Sequence, residues 1–187
     1  MKSILMSIKP KRVEKILNGE KTIIVRKTRP KVEAPFKVYL YCTKPKCFED
    51  KWVFQKIHLS NGEIFMHPIS NGKVVAEFTC DKIEQIEYDA ITFPNGYSTR
   101  YNFGNIEDAC LTENELYDYL GEPTIEINNP SYNKGKYNGY AWHITDLKIY
   151  DEPKEIQDFH NYKKENEYWI SHTLKKAHSD WCYAWEN

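Results

Sequence analysis

The sequence predicts an α+β domain built on a curved, mainly antiparallel sheet or small barrel. Three features point there: β-branched and aromatic runs of unequal length recur along the chain, only two short stretches show helical spacing, and Gly and Pro turn signals separate them. With 187 residues, 41% hydrophobic and 28% charged, the chain has room for one well-cored domain with insertions and is short for two of ordinary size. The 14 Tyr supply both core and stacking surface.

Taken in order, Ser7-Ile8-Lys9-Pro10 reads as a short strand or loop leading into a helix over about residues 11 to 18, where Val13, Ile16 and Leu17 share a face and Gly19 is the stop. Thr22 to Arg26 is strand-like, Thr28 to Pro35 a proline-bounded loop, and Phe36 to Thr43 a second strand. Asn61-Gly62 and Asn71-Gly72 suit a hairpin-like insertion around Phe54 to Ile64. Lys73 to Cys80 is a strong strand, Lys82 to Tyr88 continues it after a bend, and residues 89 to 110 read as loop. Thr112 followed three residues later by Glu115 forms a capping-box signature, opening a helix through Leu116 and Leu120 to Gly121. Residues 122 to 138 are loop or insertion, Tyr140 to Tyr150 one long last strand, and the polar stretch from Glu155 ends in an aromatic cluster, Trp181 to Trp185, that packs back on the body.

Charge is segregated. Residues 1 to 48 hold 13 Lys and Arg against 3 Glu, whereas residues 49 to 187 hold 13 against 24 Asp and Glu, so a formal total of −1 conceals net charges of +10 and −11. A cationic first quarter is where a phosphate or polynucleotide would sit. The five cysteines are odd in number and mostly lie in apolar runs, which reads as reduced thiols; neither their spacing nor that of the histidines forms a metal-ligand set, so no metal and no cofactor is expected. No apolar run is long enough to span a membrane, and Met1 to Met6 is too short for a signal peptide, so the expected location is the cytoplasm, away from membranes.

Gly19-x-Lys21-x-x-x-x-Arg26 after a short helix, preceded by Ile8-Lys9-Pro10, resembles the signature of ASCH domains, Gly-x-Lys-x-x-Glu-x-Arg, with Ile24 at the acidic position. Met6 to Lys11, Val38 to Lys44, Gly72 to Phe78, Gly139 to Ile144 and Ser179 to Tyr183 resemble blocks of ASCH proteins from phages and prophages of Gram-positive bacteria. The resemblance implies a PUA-like small β-barrel over residues 1 to 154, variable inserts at about 45 to 71 and 84 to 138, and a C-terminal tail over 155 to 187 packed on it. It also implies RNA or nucleoside binding in a cleft lined by the motif. Some small ASCH proteins are amidohydrolases of N4-acetylcytidine that use a lysine, a threonine and a glutamate. Lys21 matches the lysine, whereas the threonine or glutamate position is Ile24, and Thr22 lies about 7 Å along the strand.

The candidate ligand-binding residues are Lys9, Lys21, Arg26, Lys27, Tyr41, Lys44, Trp142 and His143. Lys and Arg would reach phosphate, Tyr41 or Tyr39 would offer a stacking face, and Lys11, Arg29, Lys31 and Lys46 would extend the track. The alternatives are solvated surface lysines, a buried Trp142 and a satisfied His143. Glu77 is a possible carboxylate for Lys21, and Cys42 a possible nucleophile. Three functions follow: a nucleic-acid or nucleoside binder, RNA first, possessing a regulatory role; a phage-encoded inhibitor that binds a host defence nuclease through its acidic inserts; and an amidohydrolase of a modified nucleoside, with Lys21 as the catalytic residue.

Overall fold

The computed structural model describes residues 3–45, 52–93, 96–102, 106–121, 139–165 and 167–186. In chain order the elements are β1 (Ile4–Ile8), α1 (Pro10–Leu17), β2 (Ile23–Arg26), β3 (Phe36–Cys42), β4 (Trp52–His58), β5 (Ile64–Ser70), β6 (Val74–Cys80), β7 (Ile83–Gln85), β8 (Glu87–Phe93) and β9 (Gly96–Asn102). They continue with α2 (Glu113–Leu120), β10 (Tyr140–His143), β11 (Thr145–Lys154), β12 (Phe159–Glu165), β13 (Tyr168–Thr173), β14 (Trp181–Tyr183) and β15 (Trp185–Glu186). The class is α+β. The described sheets are open, with linear strand orders, so the expected barrel closure is absent from them.

The chain divides into two compact units, one formed by Met1–Lys21, Val32–Asp81 and Ile144–Asn187, the other by Thr22–Lys31 and Lys82–His143. In the first, a sheet of order β11-β6-β3-β1-β14 has β1 parallel to β3 and its other pairings antiparallel. All five residues of β1 are buried, as expected of a strand covered on both faces and paired on both edges. Pro10 begins α1, where its missing N–H costs nothing, and Pro10, Val13, Ile16 and Leu17 form its buried stripe. Leu5, Tyr39, Val74, Tyr150, Phe159 and Ala184 belong to one buried cluster, which unites the first and last parts of the chain. The C-terminal stretch is therefore stranded: β14 pairs with β1, and β12 lies between β13 and β15.

In the second unit β10 lies between β2 and β7, and Ile23, Val25, Ile86, Leu116, Leu120 and Ala141 pack into its core. Helix α2 has the capping box expected from its sequence. Glu115 N–H donates to Thr112 Oγ1 at 3.2 Å and Thr112 N–H donates to Glu115 Oε2 at 2.9 Å. Thr112→Ala is expected to cost about 1 kcal/mol, read as a shift in urea midpoint with an unchanged slope.

Three expectations differ from the structure. The stretch from Tyr140 to Tyr150 breaks at Ile144: β10 bonds to β2 and β7, whereas β11 bonds to β6, and Asp146, at φ 49°, falls where the β11–β6 register shifts. Residues 83 to 85 leave the β6 line to pair with β10. The expected loop at 89 to 110 contains the β8–β9 ladder, from Glu87 opposite Asn102 to Phe93 opposite Gly96. Residues 122 to 138, expected to be loop, lie outside the described residues.

Candidate anion-binding site

The first unit holds a cavity of about 440 Å³ lined by Tyr41, Lys44, Lys175, Lys176, His178 and Glu155 among others, and so brings two of the expected residues together with cations that sequence reading missed. Its walls are fixed by the ends of β1, β3 and β14. Thr43 N–H donates to Ile8 O at 2.9 Å, Cys42 N–H to Lys73 O at 2.9 Å and Gly72 N–H to Cys42 O at 2.8 Å, which folds the corner before β6 against the end of β3. Gly72 has φ +80°, and a Cβ there would lie 2.7 Å from Lys44 Cε, so glycine gives the Lys44 side chain its course. Ser7 anchors the loop before β14 twice: its hydroxyl donates to His178 O, and its N–H donates to Asp180 O at 2.8 Å.

Positive charge prevails in this cavity. Glu155 is engaged by Lys73 at 2.8 Å, which leaves the Lys44, Lys175 and Lys176 ammonium groups uncancelled by it. Burial, with lesser contributions from Cys42 and Glu155, raises the Tyr41 hydroxyl above its ordinary value, so it remains a donor at neutral pH. Three ammonium groups, a phenol and hydroxyls in a cavity of nucleotide size suit a phosphorylated ligand with a ring.

The remaining expected residues are placed differently. Lys9 is exposed at the N-cap of α1. Lys21 follows the helix stop, where Gly19 takes φ +72° and the Glu20 and Lys21 N–H groups both donate to Lys15 O. Its side chain is only 3% exposed, and Arg26, in the other unit, only 8%, so neither is a solvated surface cation. Lys27 is exposed and lies 5.4 Å from the Tyr119 ring centroid, while Arg29 lies 6.0 Å from that of Tyr140. Lys46 lies outside the described residues.

Trp142 has no exposed surface; it sits opposite Ile24 on one side and Ile83 on the other. Ile24, at the acidic position of the motif, is 2% exposed and offers no nucleophile or proton acceptor. His143 Nε2 lies 2.6 Å from Glu84 Oε2, a partner 59 positions away that no local pattern could reveal. Hydrogen bonding from Lys82 chiefly holds the Glu84 carboxyl below its ordinary range; burial opposes this and His143 reinforces it.

Glu77 is bound by Tyr150 Oη at 2.7 Å and Lys37 Nζ at 3.1 Å. Burial is the largest single influence and pushes its carboxyl up, but the hydrogen bonds from Tyr150 and Lys37 together with the charges of Lys37 and Lys148 outweigh it and hold the carboxyl below its ordinary value. A lowered carboxylate stabilises the fold above its unfolded value and loses that contribution as pH falls through the folded one. Glu77→Gln is expected to cost about 1.5 to 3 kcal/mol at neutral pH, with the cost shrinking below pH 4.5, in thermal melts across pH. Cys42 is fully buried and burial pushes its thiol up to about 12, which favours the buried strand cysteine over the nucleophile also considered there. Among the described residues no group of three or more His, Cys, Asp or Glu is arranged to hold a metal ion, and no helix is long and apolar enough to cross a membrane.

No protein-family model matches the sequence, and no curated protein does. Among solved structures the chain is similar to an ASCH protein from Zymomonas mobilis, at 15% identity over 82% of this chain and 73% of that one, with a TM-score of 0.46. It is similar also to two single-residue variants of that protein. One is at 15% identity over 83% and 77% of the two chains, TM-score 0.47. The other is at 14% over 93% and 89%, TM-score 0.46.

Proposed function

We propose that the chain is an ASCH-type protein that binds RNA through the lysine-lined cavity of its first unit. Phosphate oxygens are held by Lys44, Lys175 and Lys176, and a nucleoside ring lies against Tyr41. The observation that carries this reading is the convergence of those three lysines and a protonated phenol on one cavity, with the nearby carboxylate of Glu155 already engaged by Lys73. Lys21 and Arg26, the cations of the motif, do not line this cavity and are buried; the resemblance they carry supports RNA binding by the chain and leaves the cavity to rest on its own lining. A hydrolytic reading would need a reactive group where Ile24 is buried.

The reading is tested by fluorescence anisotropy with short RNA, single-stranded DNA and duplex DNA at low salt. Binding that favours RNA and weakens steeply with added salt is expected, because phosphate contacts release counterions. Failure to bind any of the three at low salt would reject it. Purification from a phage-infected host with a defence nuclease attached, in the absence of RNA binding, would favour the protein-partner alternative.

A further inference from the structure

The β4–β5 hairpin, like β12–β13 with Tyr162, Tyr168, Trp169 and Ile170, exposes several large apolar side chains, among them Ile57 and Phe65 on one face. Its ladder runs from Trp52 opposite Ser70 to His58 opposite Ile64, so Trp52, Phe54, Lys56 and His58 share a face with Ile64, Met66, Pro68 and Ser70. That face exposes Trp52 at 48%, Phe54 at 37%, Ile64 at 54% and Met66 at 42%, and Leu59 in the turn at 44%. A two-stranded hairpin exposing apolar side chains in this way is marginal in water and gains stability when covered.

The hydrogen bonds show which edge of the hairpin is already engaged. Phe54 N–H donates to Glu14 Oε2 at 2.9 Å and Phe54 O accepts from Asn18 Nδ2 at 3.0 Å, so the Phe54 backbone points toward α1 and away from β5. Phe54 and Pro68 therefore form a pair without mutual hydrogen bonds, which puts the Pro68 nitrogen, lacking a hydrogen, on the outer edge of β5. That edge is blunted against an added strand, and the occupant must pack on the face. The face has little net charge, since Lys56 is paired with Glu20 at 2.8 Å, so it does not repel its own copy.

We propose that this face packs against the same face of a second copy of the chain, forming a two-fold dimer. Its apolar side chains leave on the order of 450 Å² exposed per copy. With Lys56, His58 and Pro68 between them, two such faces bring together on the order of 1,200 Å², above the roughly 1,000 Å² that a specific interface clears. The inference goes beyond the RNA reading and does not depend on it.

Sedimentation velocity of the full chain over a concentration series tests it. Self-association to twice the 22.2 kDa chain mass is expected. The Ile64→Glu, Met66→Glu variant is expected to weaken it at least tenfold, while Tyr168→Lys, which replaces an exposed ring elsewhere, leaves it unchanged. Unaltered far-ultraviolet circular dichroism establishes that the variants are folded, as substitutions at exposed sites should be. A monomer at every concentration, a dimer untouched by the double substitution, or a monomer that retains only a different protein would each overturn the proposal.

Discussion

Lys21→Ala and Arg26→Ala are each expected to destabilise the protein by about 3 kcal/mol or more, measured as loss of urea stability before any effect on ligand is read. Lys21 is 3% exposed and Arg26 8%, and both residues interact with other groups. A cation at that depth persists only where its surroundings compensate the lost hydration. Removing it leaves the compensating groups buried and unanswered, which is among the largest costs a single substitution incurs. Lys21→Ala would also open space beside the helix stop, and Arg26→Ala would do so at the end of β2. A binding defect in these variants therefore has to be separated from unfolding, although the sequence makes them the natural first choice.

Lys44→Ala, Lys175→Ala and Lys176→Ala combined are expected to leave the fold intact and weaken RNA binding by tenfold or more at low salt. All three residues are exposed at the rim of the cavity, so their loss creates no buried vacancy. Each ammonium that meets a phosphate displaces a condensed counterion, and the logarithmic salt dependence for a single strand changes by about 0.7 for each ammonium–phosphate pair removed. The triple variant should therefore bind with a shallower salt slope, by about 2, as well as a lower affinity. Unchanged slope and affinity would move the ligand elsewhere in the molecule.

Local signals were legible in the sequence, whereas long-range placement was not. The α2 capping box, the short α1 helix with its Gly19 stop, and the β4–β5 hairpin follow from residue chemistry within a few positions, and the structure shows each of them, with α1 beginning one residue earlier than expected, at Pro10. The break at Ile144 was hidden because β10 and β11 are both strand-like, and only their partners differ. The β8–β9 ladder was obscured by Pro94, Asn95 and Gly96, although Ala90 to Phe93 and Tyr97 to Tyr101 are rich in strand formers.

The site shows the same division. Tyr41 and Lys44 were read from the basic first quarter, but Lys175 and Lys176 lie in the acidic remainder. They join the cavity because β14 pairs with β1 and Ser7 anchors the loop before β14. A Lys-Lys dipeptide in an otherwise acidic region was the available signal. Glu84 as the partner of His143, and Tyr150 and Lys37 as the partners of Glu77, depend on strand register and had no sequence signal.

The most direct test of the central claim is the salt dependence of RNA binding, measured side by side for the wild-type chain and the Lys44→Ala, Lys175→Ala, Lys176→Ala variant. The cavity account predicts a steep slope for the wild type, reduced by about 2 in a variant with unaltered thermal stability. Equal slopes in the two proteins, or no RNA binding by the wild type at low salt, would contradict it.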